Sequence, residues 1–147
     1  MITHILDKKL AKNVANLNSI IANLDPTQRH TIKIKAFAET RSDLQNRLSH
    51  SWYGDLAENL KENDAIGYKC FCKLHFGVAL MRAEDDEFRE VYDAAIKALS
   101  YDNKLAIMKI LPVTSLMNTK QLSSYLEQMK SYYLEHNGFD LKYPQYY

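Results

Sequence analysis

Leu10, Val14, Leu17, Ile21 and Leu24 recur at alternating steps of three and four, the spacing that lines one face of an α-helix. Asp7 stands where an N-cap is expected, and Asp25-Pro26 closes the run because a residue before proline is pushed out of helical geometry. The period then changes. Over residues 31–39 polar and apolar side chains alternate, which predicts a strand with Ile32, Ile34, Ala36 and Ala38 turned inward and Lys33 and Lys35 turned to water. A strand needs a partner, and the candidates are a short strand over residues 2–6 or the same strand of a second subunit.

The helical period returns at Ser42-Asp43-Leu44-Gln45, which has the form of a capping box. The helix it opens carries Leu44, Leu48, Trp52, Leu56 and Leu60 and should fade near Asn63-Asp64. A shorter helix is expected over 65–76, closed by Gly77. Glu84, Asp85, Asp86 and Glu87 suit the positive end of the next helix, whose core face is Phe88, Val91, Tyr92, Ala95, Ile96 and Leu99. A further short helix over 101–111 stops at Pro112. The last helix begins at Asn118 or Thr119, carries Leu122, Tyr125, Leu126, Met129 and Tyr133 on its apolar stripe, and ends at Asn137-Gly138. The tyrosine-rich tail after it has no regular period.

With four glycines and three prolines the chain shows neither linker nor repeat, and it reads as one domain over residues 1–147. The expected class is α+β: mostly helical, with five or six helices, a small β-sheet of one or two strands per protomer, and a dimer completing it.

Composition adjusts this picture only at the edges. Apolar and charged fractions of 46% and 25% are those of an ordinary globular chain. Nineteen Lys plus Arg against 18 Asp plus Glu leave a formal charge of +1, without the basic excess of many nucleic-acid binders. Contact with a polyanion must then come from local clustering, or from a dimer pooling two basic faces. No stretch approaches the roughly 20 apolar residues of a membrane helix, and no apolar signal segment follows Met1. Cys70 and Cys72 are too few and too close for a secreted disulfide framework, so a cytoplasmic protein without a membrane partner is expected.

Cys70-Phe71-Cys72 with His75 is the first candidate for chemistry. Zinc sites need four ligands, and side chains two apart on a helix diverge by about 200°. Both cysteines are therefore read as small buried apolar groups, and no metal is expected. The five histidines, at 4, 30, 50, 75 and 136, lack the spacing of a metalloprotease helix or a triad. There is no phosphate-cradling glycine loop and no nucleophile elbow. His50 with Asp55 or Glu58 is the one arrangement suited to a metal-dependent nuclease, although three such residues on an exposed helix are more often a solvated face. No cofactor is expected, and the chain is not read as an enzyme.

The most informative stretch is Arg41-Ser42-Asp43-Leu44-Gln45-Asn46-Arg47. Two arginines flank a capped helix start, where free N–H groups and a partial positive charge suit a phosphate. Capping alone also accounts for Ser42 and Gln45. Lys33 and Lys35, on the exposed side of the predicted strand, would extend the basic surface. Trp52 and Tyr125 fall on apolar faces and are read as core, while the tail tyrosines suit either base stacking or a subunit interface.

The same stretch, followed by Trp52-Tyr53, resembles the Arg-Ser-x-x-Gln-Asn element of the phage recombination proteins called NinB or Orf. The order helix, strand, capped helix is similar too, and Pro112-Val113-Thr114-Ser115-Leu116-Met117-Asn118-Thr119-Lys120-Gln121-Leu122 resembles a Thr-Lys helix start in phage relatives. The tryptophan lies one residue further from the motif than in that family, and the tail is aromatic rather than basic. The resemblance implies a homodimer in the bacterial host cell that binds single- and double-stranded DNA. It further implies a recombination mediator that helps load a recombinase onto DNA coated by single-strand-binding protein. Arg41, Gln45, Asn46 and Arg47 are the positions carried over. The expected interface has Lys33, Lys35, Arg41 and Arg47 on phosphates, Gln45 and Asn46 hydrogen-bonding, and Lys120 and Lys130 adding charge from the last helix. The near-neutral charge keeps open a protein-interaction module that never touches DNA.

Overall fold

A computed structural model describes residues 11–34 and 41–145, with the side chains of Arg41 and Ser42 outside the description. The chain divides into two units, Met1–Ala38 and Glu39–Tyr147.

In the first unit the three-and-four spacing forms α1, Ala11–Ala22. The apolar stripe is where the periodicity puts it, but it is shallowly covered. Leu17 and Leu24 are half-buried, Val14 and Ile21 are exposed, and no residue of α1 is fully buried. The helix stops ahead of Asp25, whose carboxylate accepts the Thr27 N–H at 2.9 Å and the Thr27 hydroxyl at 2.7 Å. Such a local turn competes with another helical hydrogen bond. Leu10 and Asp7 lie outside the described residues.

The expected β-sheet is overturned: among the described residues there is no strand, and the fold is helical. Residues 31–34 run without regular structure, and Ile32 and Ile34, assigned to the inward face, are 57% and 87% exposed. Alternation is a property of a short segment, whereas a strand exists only when a second strand takes its backbone hydrogen bonds. Residues 2–6 and 35–39, the rest of the predicted sheet, fall outside the description.

The second unit is built from α2 (Arg41–Leu60), α3 (Ala65–Cys72), a π turn (Lys73–Gly77), α4 (Val78–Glu84), α5 (Asp86–Ala95), α6 (Tyr101–Ile107), a 3-10 turn (Thr114–Leu116) and α7 (Thr119–Asn137). Its core gathers Trp52 and Leu56 from α2, Cys72 and Met81 from the α3–α4 rod, Met108 and Val113 from the connection, and Leu122, Tyr125, Leu126 and Met129 from α7. The anticipated stripe of α7 is buried at all five positions. Its start is the reciprocal cap formed by Asn118 and Gln121, and its end is Gly138 at φ 64°, the left-handed conformation that glycine adopts without a Cβ clash. On α5, capped by Asp85, Tyr92 and Ile96 are buried as expected, but Val91 is 62% exposed.

Gly77 does not end the helix it was expected to close. It has right-handed helical geometry (φ −67°), and the rod continues through the π turn to Glu84. The glycine answers to packing instead: a Cβ there would come within 2.8 Å of Val113 Cγ1. The π turn inserts an extra residue into the helical register and turns Lys73, Phe76 and Gly77 inward together. Among the described residues no helix is long and apolar enough to cross a membrane.

Candidate nucleic-acid interface

Gln45 sits in the opening turns of α2 and is fully buried. Its Nε2 donates to the Thr119 carbonyl at 3.2 Å and to the Ser123 hydroxyl at 2.7 Å, both in the opening turns of α7. Further along, the Tyr53 and Tyr125 hydroxyls meet at 2.7 Å. The two helices therefore run in the same direction and begin at the same end of the unit. Each contributes the partial positive charge of a helix N-terminus there, offset on α2 by the exposed Asp43 in its first turn. Arg47 and Lys120 are exposed, within a turn of the Gln45 clasp on either helix.

The predicted interface is thus divided by the fold. Arg47 and Lys120 are each exposed within a turn of the Gln45 clasp, and half-buried Asn46 precedes Arg47, its carbonyl accepting the Ser49 hydroxyl at 2.8 Å. Gln45 is inside and offers nothing to a ligand surface; the capping box expected of it is also absent, since its Oε1 has no hydrogen-bond partner. Lys130 is taken up by the tail, forming an ion pair with Asp140 and donating to the Leu141 carbonyl at 2.5 Å. These contacts hold the Asp140 carboxyl below the usual carboxylate range, the Lys130 hydrogen bond first among them. Lys33 is exposed in the first unit, and Lys35 and the Arg41 side chain lie outside the described residues.

The tail packs back over the core instead of trailing away. Leu141 is 1% exposed, the Trp52 indole N–H donates to the Lys142 carbonyl at 2.9 Å, and the Tyr143 ring meets Trp52 edge-on at 5.2 Å. Trp52 and Tyr125 are core residues, as their positions on apolar faces predict. Tyr146 and Tyr147 lie outside the description. Both cysteines are buried, and loss of solvent pushes the Cys72 thiol up to about 12. Among the described residues no three His, Cys, Asp or Glu side chains converge on a common point, and His50, Asp55 and Glu58 are no exception.

Two features escape the sequence reading. Lys73, 5% exposed, donates to the carbonyls of Met108 at 2.5 Å and Leu111 at 2.6 Å, capping the C-terminal end of the α6 turn with a cation. Burial, seconded by Lys69, lowers its pKa. The second is a row of rings over the outside of the bundle. Tyr101 contacts His75 at 5.8 Å, His75 contacts Phe71 at 4.2 Å, Phe71 contacts Tyr132 at 5.8 Å, and Tyr132 stacks on His136 at 4.2 Å. The available signal was the pairing of ring residues four apart, Phe71 with His75 and Tyr132 with His136, which helical geometry brings face to face. Comparison with protein-family models, with curated proteins and with solved structures gave no match to this chain.

Proposed function

We propose that the chain is a non-catalytic DNA-binding protein that meets phosphates with the end of the second unit where α2 and α7 begin. In this reading it serves recombination as a mediator, helping to load a recombinase onto single strands coated with single-strand-binding protein, as implied by its resemblance to the NinB and Orf proteins. The observation that carries it is the Gln45 clasp, which sets two helix N-termini beside each other with Arg47 and Lys120 exposed around them. A backbone phosphate accepts hydrogen bonds from side-chain cations and from helix N–H groups alike. With a formal charge of +1, no net basic excess backs the local cations, so few phosphates are contacted and binding is modest, with a shallow salt slope. A homodimer doubles the contacts along one strand.

The test is the anisotropy of a labelled oligothymidine titrated at two salt concentrations, alongside the solution mass of the protein. The triple variant Arg41→Ala, Arg47→Ala, Lys120→Ala should bind more weakly, with a log–log salt slope smaller by about 0.7 for each single-strand phosphate contact removed. An unchanged affinity and slope would remove this end of the bundle from DNA binding. The near-neutral charge favours a second reading, a module that contacts a recombination protein and never DNA. A shift assay with and without single-strand-binding protein separates the two, because only the second reading needs that protein for retention.

A further inference from the structure

The outer face of α7 carries chemistry opposite to that of its first turn. Phe76 from the π turn and Glu127, Gln128, Tyr132, Glu135 and His136 from α7 line an open groove of about 460 Å³, and no lysine or arginine is among its lining residues. Its floor is aromatic: Tyr132 lies 5.2 Å from Phe76 and is stacked on His136 at an interplanar angle of 21°. Tyr132 is also braced by Phe71 and Tyr133, so the ring is held in place before any ligand arrives. Glu127 and Glu135 are exposed, and neither enters an ion pair among the described residues. Eight positions apart on one helix, they stand about 12 Å apart along its axis, with Tyr132 between them.

We propose that this groove docks a basic, extended peptide segment of a partner protein, anchored by an arginine whose guanidinium packs against the stacked Tyr132–His136 ring pair. The charge of the lining selects the sign of the ligand: two unpaired carboxylates over an aromatic floor attract a cation and repel a nucleic-acid phosphate. Arginine fits better than lysine because its planar, weakly hydrated head stacks on a ring and reaches a carboxylate at the same time. An extended chain advances about 3.3 Å per residue, so basic residues four apart match the separation of the two carboxylates. This surface is independent of the DNA-binding end, and loss of either function leaves the other measurable.

The probe is a fluorescein-labelled glycine-serine peptide carrying two arginines four residues apart, titrated with the full chain, together with its lysine counterpart. The arginine peptide should bind at least threefold more tightly than the lysine peptide. Glu127→Gln with Glu135→Gln should weaken arginine-peptide binding at least tenfold, while Glu84→Gln with Glu90→Gln, exposed acids on α4 and α5, should leave it unchanged. Tyr132→Leu should abolish the preference for arginine. Equal weakening by both pairs of glutamine substitutions, or by neither, overturns the proposal. So does a gain of oligothymidine binding in Glu127→Gln with Glu135→Gln that Tyr132→Leu then removes, which would make the groove a base-stacking platform. A solution mass that falls on Glu127→Gln with Glu135→Gln would hand the groove to a second copy of the chain and equally end the peptide reading.

Discussion

Gln45 has no exposed surface, holds two hydrogen bonds across to α7, and keeps one buried oxygen unpartnered. The opposite amide orientation would turn that oxygen onto the Thr119 carbonyl, so the N–H side has to face α7. Gln45→Ala removes both bonds and leaves a small void, and should lower the stability of the chain by about 2 to 3 kcal/mol in urea unfolding. Under the proposed DNA-binding role, the salt slope should stay at its wild-type value, since a buried amide releases no counterions. Gln45 belongs to the expected interface by its amide beside two arginines and by the motif it shares with the resembled family, and a short polar motif does not say which of its members faces inward. Cys72 shows the converse, since its burial followed from residue type and helix position alone. Its thiol, with ordinary value 9.0, is raised to about 12, and the buried Tyr53, Tyr125 and Tyr133 hydroxyls are raised as well, all chiefly by loss of solvent. Groups whose proton is held more tightly in the folded state support folding fully below their unfolded pKa and lose that support as pH rises towards the folded value. Lys73, shifted downward, acts in the opposite sense but is a single group against several. The urea midpoint should therefore fall steadily from about pH 9 upward, and a midpoint level from pH 8 to pH 11 would contradict the burial of these groups.

Single substitutions at α7 and in the α3–α4 rod separate what is local in an element from what is imposed on it. The cap at Asn118 is a hydrogen-bonded exchange among four consecutive residues, so it was readable from spacing alone. Asn118→Ala should cost about 1 kcal/mol, seen as a lower melting temperature. Gly77 was not readable in this way. A glycine after a helical run usually ends the helix, but here Val113, distant in sequence and 1% exposed, occupies the space a side chain would need. At an uncrowded helical position alanine stabilises relative to glycine by about 0.5 to 1 kcal/mol. With a stiff, buried valine at 2.8 Å the sign reverses, and Gly77→Ala should cost about 1 to 3 kcal/mol. Thermal melts of the two variants beside the wild type test both statements.

Across the second unit, the tail is the part that completes the core. Leu141 fills it, Asp140 is gripped by Lys130 and Lys142, and the Lys142 carbonyl takes the indole proton of the sole tryptophan. Deletion of residues 139–147 should open Trp52 to water, with a red-shifted emission, faster acrylamide quenching and a clear loss of stability. Unaltered emission would show that the strap does not seal the core. The same packing separates charge on α7. Lys120 is exposed at its start, Lys130 is spent on the tail, and Glu127 and Glu135 line the aromatic groove, so the charges of one helix are sorted along its length.

The positions of most helices (though not of α4), the inward stripe and both ends of α7, and the burial of Trp52 and the cysteines follow from the sequence by itself, because periodicity and caps involve residues within a turn or two of each other. Tertiary structure decided the rest. Only folding showed that residues 31–34, despite their alternation, pair with no strand among the described residues, and that Gly77 yields to Val113 instead of ending a helix. It also decided that Gln45 and Lys130 are consumed as internal fastenings while rings from α3, α6 and α7 align on one surface. Each of these outcomes depends on what lies opposite a residue across the molecule, and contacts between positions distant in the chain leave no mark in a local pattern.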